Sequence, residues 1–262
     1  MKYLWDEITD IKKFLGVYDK IVLLLDFDGT LTPIVKPPNR AELSKSMRNL
    51  LIKLSKKQGF YLAILSGRTL KDIKKKIGLP NIIYGGNHGL EGEIFGKKYS
   101  FHIPQKKLAV LKDIRKQLNE IANQFEGVFI EDKGPVVSLH YRKIQKYQIP
   151  VFKKLFKKIL KPYEQKGLIY VIEGKMVYDI YPKVNWNKGE FAVLIIQEIE
   201  ALTKQEPVTI FIGDDSTDEE VFKKLKKSIT IKVGRDNNSN AKYNLNDTED
   251  VFNFLSWINE RY

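Results

Sequence analysis

The chain has 262 residues, of which 43% are hydrophobic, enough for a substantial core. It contains no cysteine, which excludes disulfides, cysteine-based zinc sites and thiol catalysis. Its formal net charge of +13 is compatible with nucleic acid, an anionic membrane surface or a phosphorylated substrate as the partner.

The first twenty residues form a charged amphipathic segment that lacks the apolar centre of a signal peptide. No apolar run approaches the roughly 20 residues that a membrane-spanning helix needs. We therefore expect a cytoplasmic protein without a membrane partner.

A run of five apolar residues, 21–25, predicts a strand that is buried on both faces, as in a parallel sheet covered by helices. Asp26 and Asp28 follow directly, at the edge where open α/β sheets place their ligands. Because burying two carboxylates is unfavourable unless a cation or a reaction needs them, this pair marks a functional site.

The next segments alternate between helix and strand. The patterns predict helices over residues 40–57 and 70–77 and strands over 61–65 and 82–84. Ser66, Gly67 and Arg68 follow the second strand, and Asn87 and His88 lie in a glycine-rich loop after the third. Arg68 fits either a site residue or a structural ion pair, and the loop residues fit either a site or side-chain hydrogen bonds within the loop.

Between residues 104 and 183 the pattern changes to helix, strand, strand, helix, strand, strand. The predicted helices are 105–125 and 147–165, and the predicted strands are 128–131, 136–141, 168–172 and 177–181. We interpret 104–183 as an inserted domain with an antiparallel sheet, and 1–103 with 184–262 as the core. The lysines of the second helix alternate with apolar residues, which is typical of a solvated helix face, and no nucleic-acid motif accompanies them.

The parallel pattern then returns, with predicted helices over 188–202, 219–227 and 249–259 and strands over 208–212 and 229–233. Asp214 and Asp218 follow the first of these strands, so two buried strands deliver carboxylates to one edge. A hard dication would relieve their repulsion, and oxygen ligands without cysteine favour magnesium over zinc. Magnesium commonly binds a substrate phosphate, which Ser66 and Lys188 would help to hold, so phosphoryl transfer is the predicted chemistry.

Four motifs, in order, resemble those of the haloacid dehalogenase-like phosphatases: Asp26-x-Asp28-Gly29-Thr30, Leu65-Ser66-Gly67, Lys188-Gly189 and Gly213-Asp214-Asp215-x-x-Asp218. The resemblance implies a Rossmann-like α/β core with an inserted α+β cap of the C2 type. It also implies Asp26 as the nucleophile and Asp28 as the general acid–base. Magnesium would be held by Asp26, the backbone carbonyl of Asp28 and Asp214, with support from Asp218, and the phosphoryl group by Ser66, Gly67 and Lys188.

Residues 25–34, 86–91, 131–133, 140–142 and 213–219 are similar to trehalose-6-phosphate phosphatases. The resemblance implies that the cap binds the sugar, and the substrate-binding candidates are Glu131, Lys133, Arg142, Lys175, Asp179, Arg68, Asn87 and His88. Asp179 departs from the glutamate that this family commonly has there. Glu131 and Lys133 share one strand face, where a surface ion pair is the alternative interpretation.

The leading hypothesis is therefore a magnesium-dependent phosphatase that acts on trehalose 6-phosphate. A related sugar phosphatase, acting on sucrose 6-phosphate or a glycosyl-3-phosphoglycerate, remains open. A basic nucleic-acid-binding protein is the alternative from another class, although we expect a sugar phosphate and no nucleic acid as the partner. A further possibility is a phosphatase-like module that is the partner of a trehalose-6-phosphate synthase.

Overall fold

The computed structural model describes residues 1–174 and 176–262. The strands are β1 (Lys2–Tyr3), β2 (Ile21–Leu25), β3 (Phe60–Leu65), β4 (Ile83–Gly86), β5 (Glu91–Ile94), β6 (Lys97–Ser100), β7 (Phe129–Asp132), β8 (Val137–His140), β9 (Ile169–Gly174), β10 (Val177–Pro182), β11 (Val208–Gly213), β12 (Ile229–Val233) and β13 (Tyr243–Leu245). The helices are α1 (Ile8–Leu15), α2 (Lys45–Lys56), α3 (Leu70–Ile77), α4 (Gln105–Ala122), α5 (Ile149–Gln165), α6 (Lys188–Thr203), α7 (Glu219–Lys224) and α8 (Thr248–Arg261). Among the described residues, no helix is both long enough and apolar enough to cross a membrane.

The chain divides into two compact units. The first combines residues 1–101 with 186–262, and the second comprises residues 102–185. The first unit contains one sheet in the order β1-β13-β12-β11-β2-β3-β4-β5-β6. Neighbouring strands are parallel from β1 to β4, and only the β4-β5-β6 edge is antiparallel. The predicted α/β class with a parallel central sheet is confirmed.

The apolar run of β2 is buried on both faces because helices cover both sides of the sheet. Leu23 and Leu25 pack in one apolar cluster with residues of α2 and α8. Val22 and Leu24 point to the other side, into a cluster with α6 and α7. All four side chains have no exposed surface. This double burial is why the strand is a continuous apolar run rather than an alternating one.

The carboxyl ends of β11, β2, β3 and β4 are neighbours in the sheet, because these four strands are adjacent and parallel. The residues that follow them therefore begin at one edge of the sheet. Asp214 follows β11, Asp26 follows β2, Ser66 follows β3 and Asn87 follows β4.

The second unit is a four-stranded antiparallel sheet in the order β7-β8-β10-β9 with α4 and α5 packed on it. Its element order is the predicted αββαββ. Val137 and Leu139 of β8 lie in the apolar cluster with the helices. Since side chains alternate along a strand, Ser138 points to the opposite face, where its register partners are Glu131 and Asp179.

Several elements differ from the sequence predictions. The strands β1, β5, β6 and β13 were not predicted. Helix α2 begins at Lys45 rather than near residue 40, because Ser44 caps it by accepting a hydrogen bond from the Met47 amide. The preceding residues 38–40 form a separate 3-10 turn. Helices α4 and α7 each end three residues before the predicted end.

Candidate active site

A buried lysine joins two buried aspartates at the carboxyl edge of the first unit's sheet. The ammonium nitrogen of Lys188, in the first turn of α6, donates to Oδ1 of Asp26 at 2.7 Å and to Oδ1 of Asp218 at 2.6 Å. The side chains of Lys188 and Asp218 are at most 1% exposed. The ammonium group also lies 5.8 Å from the centre of the Phe211 ring. Buried charges of this kind persist only when they are paired, and here one cation pairs with two anions.

The second oxygen of the Asp218 carboxylate orders the loop after β11. It accepts hydrogen bonds from the backbone amides of Asp214 at 2.8 Å and Asp215 at 3.0 Å. Gly213 makes this turn possible, because an added Cβ there would lie 2.3 Å from Cγ of Asp218. Both Asp218 oxygens are thus occupied within the protein, so this residue positions Lys188 and the loop.

Three carboxylates converge at this edge. Asp26, Asp214 and Asp218 each offer one oxygen atom, and these atoms all lie within 4.8 Å of one another. Oδ1 of Asp214 is buried and accepts no hydrogen bond from the described residues. Gly29 leaves room for this carboxylate, since a Cβ there would lie 2.1 Å from Oδ2 of Asp214. An all-oxygen donor set with an unsatisfied buried oxygen fits a hard divalent cation.

The electrostatics of the three aspartates also favour binding of a cation. Burial raises the pKa of Asp26 well above its usual range, and the charges of Asp218 and Asp214 raise it further, against the opposing charge of Lys188. Burial, with the charges of Asp218 and Asp215, raises the pKa of Asp214 to about 7. Burial raises the pKa of Asp218 to about 6, against the opposing charge of Lys188. Without a further cation, the cluster resists full ionisation at neutral pH.

For Lys188 and Asp215, neighbouring charges and hydrogen bonds outweigh burial and favour the charged form of each side chain. Burial alone would lower the pKa of Lys188, but the charges of Asp218 and Asp26 outweigh it and raise the pKa. Burial would likewise raise the pKa of Asp215, but Lys188, His88 and hydrogen bonds from Thr217 lower it to about 2. Both groups are therefore charged at neutral pH.

The Asp28 carboxylate pairs with Arg68. Nε of Arg68 donates to Oδ2 and Nη2 to Oδ1, both at 2.6 Å. Asp28 remains 39% exposed. Of the two interpretations that the sequence left open for Arg68, the described contacts are those of an ion pair with acids, since Asp72 is also bound.

Ser66 and Gly67 lie in the turn after β3. Ser66 is 1% exposed, and its hydroxyl accepts a hydrogen bond from the Arg68 amide at 3.1 Å. The ring of His88 packs on Gly67 so closely that an added Cβ would lie 2.4 Å from its Nε2. His88 also donates its backbone amide to the carbonyl of Ser66 at 3.0 Å. The two loops are thus brought together, and His88 lies against the loop that is the candidate phosphate site.

Asn87 is buried and hydrogen-bonded to neighbouring loops and strands. It is 1% exposed, its side-chain amide donates to Oε1 of Glu91 at 2.7 Å, and its backbone amide donates to the carbonyl of Arg68 at 2.7 Å. The same Glu91 oxygen accepts from the amide of Leu70 at the start of α3. Glu91 therefore ties the Asn87 loop to α3.

The sugar-binding candidates of the second unit lie mostly on the sheet face opposite the helices. Nζ of Lys133 lies 3.4 Å from Oδ1 of Asp179 and 4.0 Å from Oε2 of Glu131. Asp179 is shorter than the glutamate of the resemblance, and its carboxylate also accepts from Ser138. Arg142 follows β8 and is half-buried. Lys175 lies outside the described residues.

Some residues of these sites were not predicted. Lys232, in the middle of the apolar strand β12, is 6% exposed and donates to the backbone oxygen of Asp215 at 3.3 Å. A lone lysine in an apolar run was the available signal. His140 contacts Oε2 of Glu131 at 2.9 Å and stacks on Phe129. The alternation of β8, which places His140 on the same face as Ser138, would have indicated this contact.

The chain is similar to known proteins in sequence and in fold. Residues 24–249 match the family described as trehalose-phosphatase. The chain is 31% identical over 254 residues to the probable trehalose-phosphate phosphatase E of Arabidopsis thaliana, covering 92% of this chain and 70% of that protein. The structure is similar to a trehalose-6-phosphate phosphatase of Aspergillus fumigatus, with 25% identity, a TM-score of 0.67 and 99% of both chains covered.

The fold is also similar to that of the C-terminal domain of the trehalose-6-phosphate phosphatase of C. albicans. The TM-score is 0.81 over 95% of this chain and 96% of that one, and the identity of 22% supports the shared fold alone. The family match, the relative and the four motifs at one sheet edge lead to the same assignment. The chain belongs to the trehalose-phosphatase family, within the haloacid dehalogenase-like phosphatases.

Proposed function

We propose that this phosphatase hydrolyses trehalose 6-phosphate to trehalose and phosphate through a phosphoryl group carried on Asp26. The observation that supports the chemistry best is the buried carboxylate that follows β2, paired with Lys188 and surrounded by two further aspartates. The substrate is proposed from the family and from the names of the relatives.

In the first proposed step, Oδ2 of Asp26, the oxygen that Lys188 does not bind, attacks phosphorus and the bond from phosphorus to the sugar oxygen breaks. Asp28 gives its proton to the departing sugar oxygen. Lys188 and the Ser66 hydroxyl bind the phosphoryl oxygens, and Gly67 allows the backbone to approach them. A fixed ammonium group in a water-poor site stabilises charge on these oxygens more than it would in water.

In the second proposed step, Asp28 removes a proton from a water molecule, which attacks phosphorus. The bond between phosphorus and Asp26 breaks, phosphate leaves and the carboxylate is restored. One carboxyl group thus serves as the acid and then as the base.

The proposed metal is Mg²⁺, held by Asp26, Asp214 and the backbone carbonyl of Asp28, with Asp218 acting through Lys188 and the loop amides. The unsatisfied Oδ1 of Asp214 and the raised pKa values of the aspartates support a dication here. When bound, the metal would neutralise charge on the phosphoryl oxygens.

We further propose that residues 104–183 act as the cap, which recognises the sugar. Glu131 and Asp179 would accept hydrogen bonds from sugar hydroxyls, and Lys133, Lys175 and Arg142 would donate them. The ion pairs that Lys133 makes with both carboxylates support a polar surface built to exchange hydrogen bonds. A buried polar group left without its sugar hydroxyl costs about 1–3 kcal/mol, which is how such a surface discriminates between sugars.

The test is phosphate release from trehalose 6-phosphate, sucrose 6-phosphate and glucosyl-3-phosphoglycerate, with Mg²⁺ and with EDTA. The proposal expects fastest release from trehalose 6-phosphate and none in EDTA. Faster release from another sugar phosphate would assign that substrate instead. No release from any of them, with DNA binding that weakens steeply as salt rises, would favour the nucleic-acid alternative. The partnership with a trehalose-6-phosphate synthase stays a prediction.

A further inference from the structure

The guanidinium group of Arg68 holds the Asp28 carboxylate in a single plane. Two parallel hydrogen bonds of 2.6 Å join Nε to Oδ2 and Nη2 to Oδ1. Paired contacts of this kind fix orientation as well as distance, which a single lysine ammonium does not do. Each carboxylate oxygen retains a second lone pair, so the contact leaves both oxygens of Asp28 able to form a further hydrogen bond with a substrate or water.

Arg68 is itself fixed on its other sides. Nη1 donates to Oδ2 of Asp72 at 2.9 Å, and Nη2 also donates to the carbonyl of Pro38 at 2.7 Å. The guanidinium carbon lies 5.4 Å from the centre of the Phe27 ring, and the side chain is 12% exposed. The more exposed Asp28 is therefore oriented by a side chain that is anchored to α3 and to the loop before α2.

These contacts also limit what else Arg68 can bind. Four of its five N–H donors face protein acceptors: Nε faces Asp28, one proton of Nη1 faces Asp72, and the two of Nη2 face Asp28 and Pro38. A two-point contact with a phosphoryl group would require at least one of these bonds to break. The described geometry therefore favours a role through Asp28 over direct binding of phosphate or sugar.

We infer that Arg68 is a positioning residue for the general acid–base Asp28, with Asp72 as its anchor. This inference rests on the proposed function. Proton transfer requires the carboxyl group within about 2.6–3.2 Å of the leaving oxygen, and a loss of orientation there lowers the rate without lowering affinity. Arg68 therefore acts on the proton transfers made by Asp28, of which the first protonates the leaving group.

The test compares kcat/KM for two substrates whose leaving groups differ in their need for a proton. The sugar oxygen of trehalose 6-phosphate needs one, whereas the nitrophenolate of p-nitrophenyl phosphate does not. We expect Arg68→Met to lower kcat/KM for the sugar phosphate by about 10- to 100-fold, which is below the 10²–10⁴-fold that general acid catalysis typically supplies. We expect the same variant to change kcat/KM for the aryl phosphate by less than about threefold. KM for the sugar phosphate should stay near the wild-type value.

Three further variants separate this role from a structural one. Asp28→Asn should show the same selective loss, and the double variant Arg68→Met/Asp28→Asn should lose no more on the sugar phosphate than Asp28→Asn alone. Asp72→Asn, which keeps the Asp28 pair but removes the anchor, should show a smaller loss with the same selectivity. Lys74→Met, which removes another α3 ion pair, the 2.7 Å contact with Glu93, should leave both substrates unaffected.

The inference would be overturned if Arg68→Met lowered kcat/KM equally for both substrates. It would also be overturned if the double variant had a much lower kcat/KM for the sugar phosphate than Asp28→Asn. In either case Arg68 would act on the phosphoryl group or on the fold. If Arg68→Met does not fold, Asp72→Asn decides between the same outcomes. If the wild type hydrolyses a different sugar phosphate, the proposed function fails, while the same comparison with that sugar phosphate still tests Arg68.

Discussion

The ammonium nitrogen of Lys188 lies 2.7 Å from Oδ1 of Asp26, although the two residues are 162 positions apart in the sequence. The pair joins the start of α6 to the end of β2, and both side chains are at least nine-tenths buried. Lys188 also bonds to Asp218, so one cation holds two buried anions. The same lysine therefore contributes to folding and to the proposed chemistry.

Replacing Lys188 by methionine should destabilise the fold and abolish activity. The substitution leaves Asp26 and Asp218 buried without their cation, and breaking a buried ion pair in this way costs about 3–5 kcal/mol. Urea unfolding in EDTA measures the change. The control Lys188→Met/Asp218→Asn should be more stable than Lys188→Met, because it removes one of the stranded charges. If Lys188→Met alone unfolded at the same urea concentration as the wild type, this account would be contradicted.

Replacing Gly29 by alanine should damage the metal site more than the fold. A Cβ at Gly29 would lie 2.1 Å from Oδ2 of Asp214, and the residue has a φ of +90°. Gly96 is a matched control, since its φ is +79° and nothing lies within 4 Å of an added Cβ. Both variants should lose about 1 kcal/mol or more from backbone strain. Only Gly29→Ala should bind Mg²⁺ about 10- to 100-fold more weakly than the wild type, as measured by titration calorimetry. Equal Mg²⁺ affinities in the two variants would contradict this prediction.

Mg²⁺ should stabilise the protein more at about pH 8 than at about pH 5. The pKa of Asp214 is raised to about 7 and that of Asp218 to about 6. Both pKa values lie above those of the same side chains in the unfolded chain, so the metal-free folded protein binds more protons than the unfolded chain does. The contribution of these two side chains to the free energy of unfolding is therefore lost as the pH rises from about 4 to 7. Mg²⁺ binds the ionised carboxylates, so its stabilisation grows over the same range.

The melting temperature with and without Mg²⁺ at the two pH values measures this effect. Asp214→Asn should abolish most of the shift at the higher pH, whereas Glu206→Gln, at an exposed position, should preserve it. A shift that is equal at both pH values would show that these aspartates do not bind the metal.

The parallel core could be predicted because its strands are apolar runs and its helices are amphipathic. The strands β2 and β11 could be recognised as continuous apolar runs because both faces of each strand are buried. The β5-β6 hairpin could not be predicted, because it lies at the sheet edge and β6 is charged and largely exposed. β1 and β13 have two and three residues, too short for a periodic signal, and they pair with each other across most of the chain.

The site was predictable in its residue types but not in its pairings. Acids after two parallel strands indicated a metal site, and the convergence of Asp26, Asp214 and Asp218 follows from adjacent strands. The Asp28–Arg68 pair was not predictable, because it depends on the turn after β3 and on the anchoring of Arg68 by the Pro38 carbonyl. Local sequence does not encode such contacts between distant loops.

The most direct test is phosphate release from trehalose 6-phosphate by the wild type and by Asp26→Asn, each with Mg²⁺. The asparagine keeps the shape of the side chain but removes the attacking carboxylate, so the variant should fold with a near-wild-type circular dichroism spectrum, bind the substrate and release no phosphate. A folded Asp26→Asn enzyme that retains most of its turnover would show that Asp26 does not carry the phosphoryl group.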